Sequence, residues 1–248
     1  GAPIGNGPNH FGDLIASALY MNPTEPVRNP DGTFNQQSYD RLNPAAMLEY
    51  TDDNTNTLRA LGSLSGEYQI LESLSFKSVF GYDVSTSDRD YGYSPLLYAN
   101  YIYENGFAGQ RSISTNNGMW ENFLNYDNEF GDITVSGLLG YSYQYYNRRT
   151  ADLDAGKFRQ TDLDLMINNL ATAESFVGNT SYTKDELQSF FTRINLSAMD
   201  KFLLTATMRA DGSTKFGGNN KYGYFPSASV AYILSEEDFL PENMYLKV

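Results

Sequence analysis

Apolar and polar residues alternate along several stretches of the chain. From Leu58 to Ile70 the even positions are apolar residues or glycine, whereas most odd positions are polar. A second alternating stretch runs from Leu74 to Val84, just beyond Leu71-Glu72. A period of two is the pattern of a β-strand with one apolar face, so the two stretches predict a β-hairpin.

The same alternation predicts six further strands. Two of them flank Gly131-Asp132, a pair that favours a tight turn, and two flank Asp200-Lys201. The predicted strands begin near Trp120, Ile133, Phe190, Phe202, Tyr222 and Met244. The eighth is interrupted at the last residue, so we expect the chain to be a piece of a longer protein.

Short turns alternate with long connections in this prediction. The long connections are residues 87–117 and 148–186. In an antiparallel meander every second connection lies at the same end of the sheet, and short turns at one end with long extracellular loops at the other are typical of outer-membrane β-barrels. We therefore predict an all-β chain, with residues 1–56 as an extracellular loop region and residues 57–248 as strands and loops.

Two short helices are predicted outside the strands. Their apolar faces consist of Leu14, Ile15, Ala18 and Leu19, before Pro23, and of Leu163, Ile167, Leu170 and Ala171. No stretch approaches the roughly 20 apolar residues of a spanning helix, so any membrane crossing would use strands. A soluble β-sandwich with a sugar-binding or adhesin-like role stays open, because its sheets also carry one apolar face.

Composition excludes several classes of function. The chain has 248 residues and a net charge of −13, which disfavours binding to nucleic acid. It has no cysteine and a single histidine, His10, which we expect to be a loop residue. Residues 50–57 are rich in oxygen ligands but lack the spacing of a calcium loop, and we expect them to be solvated. We predict no catalytic residue, no metal ligand and no cofactor, and hence no enzyme.

Aromatic residues are the candidate ligand-binding side chains. The chain has 20 tyrosines and 15 phenylalanines. Tyrosine combines an apolar ring with a hydrogen-bonding tip, which suits a sugar or a peptide, although the same rings can also pack a loop against itself. The candidates fall within the predicted loop 87–117 and its borders: Tyr91, Tyr93, Tyr98, Tyr101, Tyr103 and Phe107.

A longer motif resembles a known family. The stretch LLTATMRADGSTKFGGNNKYGYFPSASVAY is similar to a barrel hairpin of SusC/RagA-type TonB-linked outer-membrane transporters, and residues 43–83 resemble a mid-barrel segment of the same family. Family members often carry a second basic residue where this chain has Ala210, which puts a role for charge at that position in doubt. The residues that carry the hairpin resemblance are Asp211, Gly212, Ser213, Phe216, Gly217, Gly223, Tyr224, Phe225 and Pro226.

The resemblance implies a fold, a location and partners. It implies part of a 22-stranded transmembrane antiparallel barrel, with about seven or eight strands here, in the bacterial outer membrane. The implied function is import of oligosaccharides or peptides together with a SusD-like surface lipoprotein. We expect no plug domain in this chain, so contact with the TonB complex would depend on missing N-terminal parts. A TonB-dependent receptor for a metal chelate is a further alternative.

Overall fold

The computed structural model describes residues 14–36, 42–98, 105–218, 221–234 and 237. Within these ranges seven strands form one sheet in the order β1-β2-β3-β4-β5-β6-β7, so every strand pairs with its neighbours in sequence. This confirms the predicted all-β meander. No second sheet packs on it in the described part of the chain, which is inconsistent with the two-layer sandwich.

The strands are long, and three short helices accompany them. The strands are β1 Thr51–Leu71, β2 Leu74–Tyr93, β3 Phe107–Phe130, β4 Ile133–Phe158, β5 Ala173–Ala198, β6 Phe202–Ser213 and β7 Tyr222–Tyr232. The helices are α1 Leu14–Tyr20, α2 Pro44–Tyr50 and α3 Leu163–Asn168, and a 3₁₀ turn covers Leu170–Thr172. No helix in the described ranges is long and apolar enough to cross a membrane.

The predicted turns are present. Two residues separate β1 from β2 and β3 from β4, and three separate β5 from β6. Gly131 has φ 60°, a backbone conformation that glycine adopts without strain. Met199 and Asp200 also have positive φ, of 55° and 56°, as in the type I′ turns that suit hairpins. The other connections, 94–106, 159–172 and 214–221, all lie at the opposite ends of the strands.

The predicted lengths of the loops were wrong. Most of 87–117 and 148–186 belongs to β2, β3, β4 and β5, which have 20 to 26 residues each. The boundary at residue 56 was also wrong, because β1 begins at Thr51, and residues 51–57 are strand rather than loop. The alternation is absent from these extensions because both of their faces are polar, as in the run from Thr86 to Asp90.

Two predicted helices are confirmed and one was missed. α1 and α3 lie where apolar residues recur at helical spacing. Asn43 caps the N-terminus of α2: its side chain accepts hydrogen bonds from the N–H groups of Ala45 and Ala46, and Pro44 is the first helical residue. Asn-Pro is a start signal that could have been read from the sequence. His10 and the predicted eighth strand lie outside the described residues.

The chain divides into two compact units. Unit 1 consists of residues 1–58, 85–114 and 149–182. Its described part has two small apolar cores, in which α2 and α3 pack on strand ends. One core contains Phe34, Leu42, Ala46, Met47, Tyr93 and Leu97, and the other contains Ala108, Ala155, Phe158, Met166, Ile167 and Leu170.

Unit 2 consists of residues 59–84, 115–148 and 183–248, and its sheet has two different faces. The pairing of β5 with β6 sets Ile194 opposite Ala206 and Leu196 opposite Leu204, and Leu204 in turn lies opposite Val230 of β7. The intervening positions pair Arg193 with Thr207, Asn195 with Thr205, and Thr207 with Ser227. The register therefore collects apolar side chains on one face and polar side chains on the other.

Candidate functional site

The apolar face of unit 2 carries a row of aromatic rings. The ring of Tyr141 lies 6.3 Å from that of Trp120 and 5.1 Å from that of Phe190, which connects β3, β4 and β5. The polar groups of these rings form hydrogen bonds. The indole N–H of Trp120 donates to Ser78 Oγ (3.0 Å), and Gln188 Nε2 donates to the hydroxyl of Tyr141 (3.1 Å). Aromatic rings with an apolar body and a hydrogen-bonding group at one edge are typical of a membrane interface.

A second aromatic row lies near the tight turns of the same face. The rings of Phe202 and Tyr232 are 4.8 Å apart, and Phe130 is 57% exposed. Ten residues along β3 separate Trp120 from Phe130, which is ~33 Å along a strand and roughly 25 Å across a membrane at the tilt of a barrel strand. The two rows thus bound a band as tall as the apolar belt of an outer-membrane barrel.

The polar face of unit 2 contains a fixed arginine. Arg209 Nε donates to both carboxylate oxygens of Asp211 (2.8 Å each), and one terminal nitrogen donates to Ser189 Oγ (3.2 Å). Its guanidinium also stands 5.3 Å from the centre of the Phe191 ring. Phe191 in turn covers Gly140, where an added Cβ would stand 2.1 Å from the ring.

The hairpin motif occupies the ends of β6 and β7. Asp211, Gly212 and Ser213 end β6, Phe216 and Gly217 lie in the connection, and β7 contains the remainder. The glycines make room for rings: a Cβ on Gly212 would stand 2.6 Å from Tyr222, and one on Gly223 would stand 3.0 Å from Phe225. In register, Gly223, Tyr224, Phe225 and Pro226 pair with Asp211, Ala210, Arg209 and Met208.

The polar face also forms a cavity of about 440 Å³, which we call the β3–β5 cavity. Its volume is in the range of small-molecule sites. Lys215 Nζ lies 3.3 Å from Asp185 Oδ2, and the hydroxyl of Tyr146 donates to Gln144 Oε1 (2.8 Å). The lining residues are Thr115, Asn117, Tyr146, Asn147, Arg148, Thr183, Asp185 and Lys215.

Unit 1 has a second cavity of about 410 Å³, lined by charged residues of β2, β3 and β4. The pairs next to it are ionic: Arg89 Nε donates to Asp53 Oδ1 (2.7 Å), and Arg111 pairs with Asp152. Every arginine that lines this cavity is thus already matched by a carboxylate of the protein.

Tyr91 extends the ionic network of unit 1. Its hydroxyl donates to Asp154 Oδ1 (2.6 Å) and its ring receives the Arg89 guanidinium at 4.6 Å. Burial and the Asp154 carboxylate raise the pKa of Tyr91, so the hydroxyl remains a donor at neutral pH. Asp88 and Asp90 alternate with these residues on the other face of β2, so this end of the strand lies beyond its apolar segment.

The predicted aromatic site is only partly assembled. Tyr91, Tyr93 and Phe107 lie in strands rather than in a loop. Tyr93 is 7% exposed and stacks on Phe107 at 5.5 Å, which is a packing role. Tyr98 is 40% exposed and lies in the connection between β2 and β3. Tyr101 and Tyr103 lie outside the described residues.

The side chains of the β3–β5 cavity were not among the sequence candidates. They come from β3, β4 and β5, at positions where both faces are polar, and from Lys215 in the connection between β6 and β7. The only local signal is Tyr146-Asn147-Arg148, which follows directly on the run of alternating tyrosines in β4. The cavity appears only once the register of the strands is known.

Comparison with known proteins finds several relatives, although no family model matches the chain. The chain is 31% identical over 236 residues to TonB-dependent receptor P3 of Formosa agariphila, an alignment that covers 94% of the chain and 23% of the receptor. It is 25% identical over 268 residues to TonB-dependent receptor SusC of Bacteroides thetaiotaomicron, covering 96% and 26%. The chain thus spans about a quarter of the length of these relatives.

A solved structure has a similar fold. A chain of the RagAB peptide transporter superposes with a TM-score of 0.69 and 17% sequence identity, over 78% of this chain and 22% of that one. At this identity the likeness concerns the fold. The similarity in fold agrees with the different polarity of the two faces of the sheet, because the wall of a membrane barrel separates lipid from the interior of the barrel.

Proposed function

Because the chain belongs to the SusC/RagA-type family of TonB-dependent receptors, which are β-barrels of the outer membrane, we propose that it forms part of the wall of an oligosaccharide importer. One observation carries the proposal: a single sheet presents an apolar face bounded by aromatic rows and a polar face that holds a cavity. The apolar face meets lipid and the polar face lines the lumen.

The lengths of the connections support the following orientation in the membrane. Tight turns such as 72–73 and 131–132 lie at the periplasmic end, and the longer connections lie at the extracellular end. The strands continue for many residues beyond the apolar band on the extracellular side, because a spanning strand needs only about 9 to 11 residues. A ligand therefore meets this polar wall before it reaches the level of the bilayer.

The lining of the β3–β5 cavity favours an oligosaccharide over a peptide. Hydroxyl, amide and charged groups surround one half-exposed ring, Tyr146. Sugars are bound by stacking on such rings and by hydrogen bonds to such groups. A peptide that binds as an added strand needs a free sheet edge, whereas β3, β4 and β5 are each paired on both sides.

The proposal includes two protein partners. A SusD-like surface lipoprotein would cover the extracellular end, where α2 and α3 hold the strand ends in compact packing. The TonB complex would supply energy through parts of the receptor beyond this segment. Both partners follow from the family rather than from contacts of the described residues.

Uptake measurements with the full-length receptor test the proposal. Cells with and without the receptor gene would be given fluorescent oligosaccharides, fluorescent peptides and ferric chelates, each with and without an uncoupler of the proton-motive force. We expect receptor-dependent uptake of oligosaccharides that the uncoupler abolishes. Uptake of ferric chelates alone, or uptake that is indifferent to the uncoupler, contradicts the proposal.

A further inference from the structure

The charges of the β3–β5 cavity are not balanced. Arg148, Lys215 and Asp185 line it, so two cations face one carboxylate. Elsewhere on the strands of the described ranges, Arg59, Arg89, Arg111 and Arg209 each pair with an aspartate. Arg148 has no such salt bridge among the described residues.

Among the arginines on the described strands, Arg148, Arg149 and Arg193 form no salt bridge, and of these only Arg148 lines the β3–β5 cavity. The net charge is −13, so carboxylates are available in excess to neutralise arginines. Lys215 forms a salt bridge with Asp185, but its side chain is 68% exposed. Its other two N–H donors remain available for a second acceptor. The local charge of the cavity is therefore positive within an anionic wall, which attracts one anionic group rather than an acidic polymer.

The cavity combines this charge with an aromatic platform. Tyr146 and Arg148 lie two residues apart in β4, so their side chains share its polar face, and Tyr146 is 49% exposed. The hydroxyl of Tyr146 donates to Gln144 Oε1 (2.8 Å) on the same face of β4. Asn117 and Thr115 on β3 add uncharged donors and acceptors beside it. A planar guanidinium next to a ring suits a carboxylate that is attached to a sugar.

From this arrangement we infer that the β3–β5 cavity is a subsite for a sugar residue that carries a carboxylate, such as a uronate within an oligosaccharide. Arg148 binds the carboxylate, assisted by Lys215, and Tyr146 stacks on the sugar ring. Asn117 and Thr115 bind ring hydroxyls. The inference rests on the proposed import function and adds the charge of the substrate and the residues that select it.

Binding to the purified full-length receptor tests the inference. The probes are fluorescent uronate-containing oligosaccharides, the same oligosaccharides after reduction of the carboxyl groups to alcohols, and acidic peptides of similar length. We expect the wild-type receptor to prefer at least one acidic oligosaccharide over its reduced form. The Arg148→Gln substitution should weaken that binding about 10- to 100-fold and leave the reduced form unaffected.

Two further variants distinguish the effect of charge on binding from the effect of stacking and from a change in the fold. Tyr146→Ala should weaken the acidic and the reduced oligosaccharides by a similar factor, because stacking does not depend on the carboxylate. Arg149→Gln is the matched control, since residue 149 has the opposite side-chain direction on β4 and should leave both affinities unchanged. The thermal unfolding of all three variants should remain that of the wild type.

Several results would overturn the inference. These are equal affinity for the acidic and reduced forms, equal loss of both in Arg148→Gln, binding of acidic peptides alone, or binding of no probe. Energy-dependent uptake of acidic and neutral oligosaccharides that Arg148→Gln leaves equally unchanged would keep the proposed import function intact and refute only the carboxylate subsite. If the wild-type receptor takes up no oligosaccharide in an energy-dependent manner, the import function itself is refuted.

Discussion

At the residue scale, Gly140 shows how the polar face of the wall is packed. The ring of Phe191 covers it so closely that a Cβ would stand 2.1 Å from the ring. Gly137 lies three residues away on the other face of β4. A Cβ added there would stand 3.8 Å from its nearest neighbour, an ordinary contact. The two glycines thus offer a matched pair on a single strand.

We predict that Gly140→Ala destabilises the full-length receptor by about 1 to 3 kcal/mol, because the ring must leave its position. Gly137→Ala should have little effect. The free energy of unfolding in urea, measured by tryptophan fluorescence in lipid vesicles, checks both. Equal stability of the two variants would show that Phe191 moves aside at no cost.

Tyr93 and Tyr98 allow the two roles of the loop aromatics to be separated. Tyr93 is buried against Phe107, whereas Tyr98 is 40% exposed. Tyr93→Ala should remove a buried ring at a cost of about 3 kcal/mol and increase proteolysis of the connection 94–106. Tyr93→Phe keeps the ring and should retain most of the stability that Tyr93→Ala loses.

The companion variant addresses binding. Tyr98→Ala should leave the amount of receptor and its protease resistance unchanged and should lower oligosaccharide uptake, if this ring contacts the ligand as the sequence predicts. Uptake at the wild-type level would assign Tyr98 to packing.

At the element scale, β4 shows why its two faces tolerate different substitutions. Leu139 is 59% exposed on the apolar face, in the band between the two aromatic rows. Ser136 lies on the polar face of the same strand, three residues closer to the tight turn. Leu139→Arg should cost about 2 to 4 kcal/mol because it sets a charge in lipid near mid-membrane.

Ser136→Arg is the control for that substitution, because it extends a charge into the polar lumen. Folding of the two variants into vesicles of graded lipid thickness, followed by heat-modifiable gel mobility, measures the difference. We expect only Leu139→Arg to fold poorly. If both variants fold equally well, the assignment of the apolar face to lipid is wrong.

The sequence predicts the membrane-embedded part of each strand well and the rest poorly, for a physical reason. Lipid imposes alternation, so Leu139, Tyr141 and Tyr143 reveal β4 directly. Beyond the bilayer both faces meet water, and neighbouring strands are linked by ion pairs such as Arg89 with Asp53, which leave no period in the sequence. The same loss of period conceals the β3–β5 cavity, whose residues come together only through strand pairing.

At the scale of the whole molecule, the two outer strands of the described sheet determine what the segment can do by itself. In this sheet β1 pairs only with β2 and β7 pairs only with β6. Each therefore presents one row of backbone N–H and C=O groups without a partner strand among the described residues. In lipid every such group costs several kcal/mol, which is why membrane strands occur in closed barrels.

We therefore predict that the 248-residue segment does not form a stable membrane structure alone. Refolded into detergent or vesicles, it should give no heat-modifiable band, and its single tryptophan, Trp120, should not be quenched by brominated lipids. The full-length receptor, refolded in parallel, should give a compact band that shifts on heating, because closure of the barrel pairs both outer strands. A heat-modifiable band from the isolated segment would mean that β1 and β7 find partners, either in one another or in a second copy, and its apparent mass would distinguish these two forms of closure.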